Sequence, residues 1–380
     1  MTYRPLEGIR VLDISRLYPG ALETAKLADL GADVVKVEEP GRGDYLRTIP
    51  PLVGGEGVIH LLCNRGKRSV ALDLKTSEGR DTFHRLAGST DVVVESARPG
   101  RWKELGIDFG ALRRERPALV VCSVSGFGQT GPLAPLASHG MNMDALAGTL
   151  MLAEWEGRRR FVTTGFSLGV EMGAVNAALG VAAAVFRAKA TGEGVWIDAS
   201  CWDGAVEIQR LPIGGHLGAG EQLGVREPRP LYDVYETSDD KLILFCAIEK
   251  KFWESFCRGV DREDLLARWS GTDVDFGGDR ALREELEGIF VLRTADAWQK
   301  HFLDWDIPGS LVLELGDVLR HPHLDVRGLV QRSDGEAPFV ANPLRWHDEE
   351  GRPGDGASPA PGLGQHTDEV MQQWLGEGGA

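Results

Sequence analysis

The sequence predicts an α/β protein whose N-terminal half carries a mostly parallel, open sheet. Three observations predict it. Short valine-rich runs recur at residues 33–38 (DVVKVE), 91–95 (DVVVE) and 119–124 (LVVCSV). Helix-forming stretches separate them, and a chain that alternates strand with helix builds βαβ units, which require parallel strands. The composition, 42% hydrophobic and 26% charged over 380 residues, is that of a globular chain. A chain of this length buries a core without help from disulfides or metal.

Each element has a local reason. Residues 9–14 (IRVLDI) form the first strand, helix formers follow at 23–30, and Gly31 stops them. Residues 33–38 form the second strand. Residues 69–74, 78–87 and 91–95 repeat the strand–helix–strand rhythm, and 119–124 enters as a strand after Pro117. Small residues over 173–190 predict one helix, closed by Thr191-Gly192-Glu193-Gly194, and 196–200 (WIDAS) is the strand after it. Residues 212–230 are rich in Gly and Pro and read as a linker or active-site loop, with the glycine-rich 214–220 as a flexible loop. Two strands, 232–236 and 242–247, flank Thr237-Ser238-Asp239-Asp240, and helical patterns run over 252–305. The tail 348–364 is rich in Gly, Pro and Asp, and helix resumes at 367–375. The expected division is a large domain over 1–215, a small α+β domain over 225–325, and a tail, 326–380, that completes the large one.

Charge narrows the function. A net charge of −15 and a pI near 5.1 argue against nonspecific binding to nucleic acid or anionic membrane, which needs a basic surface. An anionic small molecule held by a local basic pocket stays open. Cys63, Cys122, Cys201, Cys246 and Cys257 are scattered, odd in number and without metal-ligand spacing. They read as buried reduced thiols of a cytoplasmic protein. The N-terminal residues 1–8 hold no apolar signal core. The small apolar run 173–186 is shorter than the about 20 residues a bilayer needs and reads as a buried helix. P-loop, GxGxxG, GxSxG and HExxH motifs are absent. Trp253, Trp298 and Trp305 read as packing residues.

Five stretches, in order, resemble the family III CoA-transferases and α-methylacyl-CoA racemases. They are 6–12 (LEGIRVL) continued by 27–38 (LADLGADVVKVE), 64–75 (NRGKRSVALDLK), 92–106 (VVVESARPGRWKELG), 123–132 (SVSGFGQTGP) and 191–203 (TGEGVWIDASCWD). The resemblance implies a Rossmann-like large domain completed by the tail, a small domain, and an interlocked dimer. It implies coenzyme A or an acyl-CoA as the ligand, no metal, and CoA transfer between an acyl-CoA and a carboxylic acid.

The resemblance also assigns residues. Family transferases use an aspartate nucleophile, which forms an acyl anhydride and then a thioester. That aspartate ends a GxxxxD stretch just before the small-residue helix. The matching stretch here runs from Gly165 to Val170, and a valine can neither form an anhydride nor move a proton. Glu171 is the adjacent carboxylate, readable as a shifted nucleophile or base, or as a first-turn acid favoured by the helix dipole. Ser138-His139-Gly140-Met141-Asn142 resembles the racemase histidine segment, with His139 at the histidine. Tyr232-Asp233-Val234-Tyr235-Glu236 resembles its small-domain segment, with Glu236 at an active-site glutamate.

For CoA, the cations Arg65, Lys67, Arg68 and Lys75 form a basic cluster, with Leu72 as an apolar contact and Arg98 and Arg101 in a nearby loop. Glu39 and Glu104 stand where relatives often carry CoA-contacting arginines, and carboxylates there repel phosphate. Three functions follow. The chain is a subunit lacking the catalytic aspartate, as a homodimer or paired with a homologous catalytic subunit. Alternatively it is a racemase- or isomerase-like enzyme using His139 and Glu236, or a non-catalytic CoA-binding protein.

Overall fold

The valine-rich runs pair edge to edge. In the computed structural model, which describes residues 3–162, 165–220, 229–277, 280–331, 339–346 and 352–376, six strands form one sheet. They are β1 (Arg10–Asp13), β2 (Asp33–Glu38), β3 (Arg68–Ala71), β4 (Val92–Glu95), β5 (Val120–Ser125) and β6 (Trp196–Ser200). Every neighbouring pair is parallel, and the spatial order is β6-β5-β4-β1-β2-β3. This is the Rossmann order, which reverses direction between β1 and β4. Val11, Leu12, Val35, Val93 and Val121 are fully buried, as strands covered on both faces require. Each such side chain contributes roughly 1.5–3 kcal/mol.

The described chain divides into two compact units. One comprises Met1–Gly214 with Gly328–Ala380, and the other Gly215–Arg327. In the first, α1 (Tyr18–Asp29), α2 (Gly140–Ala147) and α3 (Leu168–Thr191) position the site. The Ser167 hydroxyl accepts from the Val170 N–H at 3.3 Å, so α3 starts five residues before the small-residue run does. At 24 residues it is long and apolar enough to cross a bilayer, which corrects the length argument made from 173–186. Packing is what defines it as a core helix here: Ala177, Ala178, Val181 and Val185 are buried in one cluster with Val120, Val124 and Cys201. Gly173 is required by close approach, since a Cβ there would meet the Cys201 Cα at 2.9 Å. The tail returns to the same unit. Its helix Thr367–Leu375 buries Val370 and Trp374, and the Ala71 N–H donates to Thr367 Oγ1 at 3.1 Å.

The second unit is built differently. Strands Asp233–Glu236, Leu242–Phe245 and Gly309–Leu311 pair antiparallel, and helices Lys250–Gly259, Arg280–Phe290 and Ala295–Asp304 pack beside them. Its core is aromatic, with Tyr235, Phe245, Trp253, Phe256, Phe290 and Trp298 all buried.

One expectation fails locally. The stretch 212–230 was expected to be a loop, but Arg210–Ala219 is a helix. Each glycine in it costs about 1 kcal/mol relative to alanine. The helix nevertheless forms because it follows Cys201–Ile208 with only Gln209 between, so the costly nucleus already exists. Residues 221–228 of that stretch, and 348–351 of the tail, lie outside the described residues.

Candidate functional site

Two loops leave the sheet where its order reverses. After β1 comes Ile14-Ser15-Arg16-Leu17-Tyr18, and after β4 comes Ser96-Ala97-Arg98. Loops diverging from such a point leave a crevice outside the carboxyl ends of the strands. Here the loops are stitched together: the Arg16 N–H donates to Ser96 Oγ at 2.8 Å, and Ser96 Oγ donates to the Arg16 carbonyl at 3.1 Å. A cavity of about 1080 Å³ opens at this point, and Arg16, Tyr18, Arg98, His139, Val170 and Glu171 all line it.

The starts of α2 and α3 form one wall. His139 caps α2, and its backbone N–H donates to Asn142 Oδ1 at 2.7 Å. The Ser167 hydroxyl donates to the Gly140 carbonyl at 3.0 Å, and Asp144 Oδ1 accepts from the Gly169 N–H at 2.9 Å. The two helix starts are therefore locked together. A Cβ on Gly140 would lie 2.8 Å from Ser167 Cβ, so glycine is what lets them approach. Val170 is 4% exposed and packs with Val124, Phe127, Met143 and Cys201. Glu171 is half-buried, and its Oε1 accepts from the Tyr18 hydroxyl at 2.5 Å. Burial, and then the Glu171 carboxylate, push the Tyr18 phenol far above its ordinary value, so it acts only as a donor.

The expected cation cluster does not assemble. Arg65 pairs with Asp29 at 2.7 Å and lies over the Phe339 ring, at the cavity edge. Lys67 is buried, its ammonium donating to Thr24 Oγ1 at 2.7 Å, the Ala21 carbonyl at 2.9 Å, Asn64 Oδ1 at 3.1 Å and Asp13 Oδ2 at 3.4 Å. Arg68 pairs with Asp33 at 2.6 Å and Glu369 at 3.1 Å. The three neighbouring cations thus go to separate sets of partners, and the buried Lys67 in particular is neutralised where it sits, as a cation in a low-dielectric interior must be.

Leu72 and Lys75 line a separate, smaller pocket of about 110 Å³ with Glu39, Trp102 and Leu105. The Lys75 ammonium holds Glu39 at 2.5 Å and lowers its carboxyl below the ordinary value. Arg101 pairs with Glu104 at 3.1 Å, both exposed. The two acids expected to repel phosphate are each matched by a cation expected to bind it. Arg98 differs: it is exposed at the main cavity and donates to the Pro135 carbonyl at 3.0 Å. Glu236 is exposed on a strand of the second unit. Among the described residues no cluster of His, Cys, Asp or Glu is arranged to hold a metal, and all five cysteines are free.

A family model described as CoA-transferase family III matches residues 6–367. The chain belongs to that family. It is 31% identical to a succinyl-CoA:mesaconate CoA-transferase of Haloarcula hispanica, over 97% of this chain and 96% of that one. It is 29% identical to the human α-methylacyl-CoA racemase, over 97% and 93% respectively. Among solved structures it is similar to a CaiB/BaiF family protein from Brucella suis, with 25% identity, a TM-score of 0.81, and coverage of 98% of this chain and all of that one. Family III membership makes acyl-CoA handling the general activity.

Sequence reasoning brought His139, Val170 and Glu171 to the site but missed Tyr18, Arg16 and Ser96. A signal for them exists in a family III chain with this topology: they directly follow the two strands that flank the reversal of the sheet.

Proposed function

We propose that the protein binds an acyl-CoA thioester in the cavity and moves the proton α to the thioester carbonyl, with His139 and Glu171 as the acid–base pair. The observation that carries this reading is that an imidazole and a carboxylate line one cavity while the neighbouring family position is an apolar Val170. One group takes the proton from the α-carbon, leaving an enolate, and the other returns a proton to that carbon. Arg16 and Arg98, which line the cavity, supply positive charge for CoA phosphates. Five free thiols fit a reducing cytoplasm.

Val170 itself favours a second reading. A chain without the family aspartate is the non-nucleophilic subunit of a heteromer, and CoA transfer from an acyl-CoA to a carboxylic acid proceeds on a homologous partner that keeps it.

One experiment separates the two. The chain is incubated with 2-methylpropanoyl-CoA in heavy water, with and without succinate as acceptor. Deuterium at the α-carbon, abolished by His139→Ala and by Glu171→Gln, is the expected result. A lack of exchange across a range of acyl-CoA esters sinks the first reading. Succinyl-CoA formation by the isolated chain sinks the second.

A further inference from the structure

Leu17 has φ 64° and ψ −162°, a backbone region open essentially to glycine. A branched side chain is held there only if its surroundings over-determine the conformation, and they do. The Leu17 N–H donates to Asp44 Oδ2 at 3.1 Å. Asp44 is buried and pairs with the buried Lys36 ammonium at 3.2 Å. Lys36 in turn donates to the Ser15 carbonyl at 3.0 Å. One buried ion pair therefore grips the backbone on both sides of Arg16. Beyond Leu17, Pro19 opens α1, and Gly20 lies so close that a Cβ there would meet Ser15 at 2.3 Å.

The residue aimed by this arrangement is Tyr18. Its hydroxyl crosses the cavity wall to Glu171 Oε1, a partner 153 residues away in sequence. Both side chains line the cavity that His139 also lines.

We propose that Tyr18 is a positioning residue for Glu171: its hydroxyl fixes one carboxylate oxygen, leaves the other to meet substrate, and is held in place by the strained Leu17. The hydrogen bond stands on geometry alone, and its catalytic consequence rests on the α-proton reading above. Tyr18 transfers no proton in this scheme. It keeps its own and acts as a fixed donor.

The test has two arms. In infrared difference spectra, the carboxylate band absent from Glu171→Gln marks Glu171. Removal of a strong donor changes the electron density on that oxygen, so the band shifts in Tyr18→Phe, a variant that keeps the ring and the packing. An unmoved band overturns the proposal. In the second arm, Tyr18→Phe binds 2-methylpropanoyl-CoA within about 2-fold of wild type by calorimetry but exchanges its α-proton about 10- to 100-fold more slowly. An unchanged rate overturns the positioning role. A shifted band in a protein that exchanges no α-proton supports the Tyr18–Glu171 contact and rejects the α-proton reading alone.

Discussion

The loop after β1 has charged and polar groups on two sides, and the two sides are treated differently. On the interior side Asp13, Thr24, Lys36, Asp44 and Lys67 are buried and satisfy one another. Asp13 accepts from Ser15, Thr24 and Lys67. Burial would raise its carboxyl, but Lys36 and Lys67 hold it below the ordinary value. On the cavity side Tyr18, His139 and Glu171 are half-buried or exposed, and the one bond between Tyr18 and Glu171 leaves a carboxylate oxygen for a ligand. The same residue types make scaffold in one place and a candidate site in the other. What separates them is whether hydrogen-bonding capacity is used up internally, because an unpaired buried charge is not tolerated.

The largest expected effect comes from breaking the interior side. Lys67→Met leaves the Asp13 carboxylate with one cation fewer in a dry interior, and about 3–5 kcal/mol of stability is lost. Denaturant unfolding reads this directly. A variant that unfolds like wild type would show that Lys67 is not part of the scaffold.

Next in size is a substitution on the boundary between the two sides. Val170→Asp inserts a carboxyl among Val124, Phe127, Met143 and Cys201, and costs about 2–3 kcal/mol at neutral pH. The loss is smaller in acid, where burial keeps the carboxyl protonated. If CoA transfer appears in this variant alone, the cavity is otherwise equipped for the family reaction. If CoA binds and no transfer follows, the site has diverged by more than one residue.

The smallest effect sharpens the scaffold side. Burial, and then the nearby Arg47 charge, pull His60 down to about 4. The unfolded chain takes up this proton near pH 6.5, whereas the folded chain resists until about 4. Stability is therefore indifferent to His60 above pH 6.5 and falls as pH drops from 6.5 to 4. His60→Gln, whose amide can still accept from Asn64, is expected to flatten that part of the stability–pH curve. An unaltered curve would overturn this assignment, because Glu38 contributes only at lower pH, as its carboxyl is titrated below 4.5. The two Arg47 hydrogen bonds hold the Glu38 carboxyl at about 2.

Much of the fold was legible because the signals are local. Strands at 33–38 and 196–200 and the helix at 367–375 stand where the local residue pattern put them. Trp253 and Trp298 are the packing residues their setting implied. The helices Val58–Asn64 and Gly140–Ala147 were missed, being short and without a strong apolar period. The exposed hairpin Leu152–Trp155 with Arg158–Phe161 was missed too, since neither strand has a buried face to impose alternation.

The sequence by itself determined the α/β class, most strand positions, the family, and the absence of a carboxylate at position 170. These depend on local pattern, or on ordered segments that each carry their own signal. Only the tertiary structure decided that Arg65, Lys67 and Arg68 are spent on separate partners, and that Tyr18 reaches Glu171 across 153 residues. Charge and residue type are properties of a position. Whether a charge is neutralised or left facing a cavity depends on groups that only folding brings within hydrogen-bonding distance.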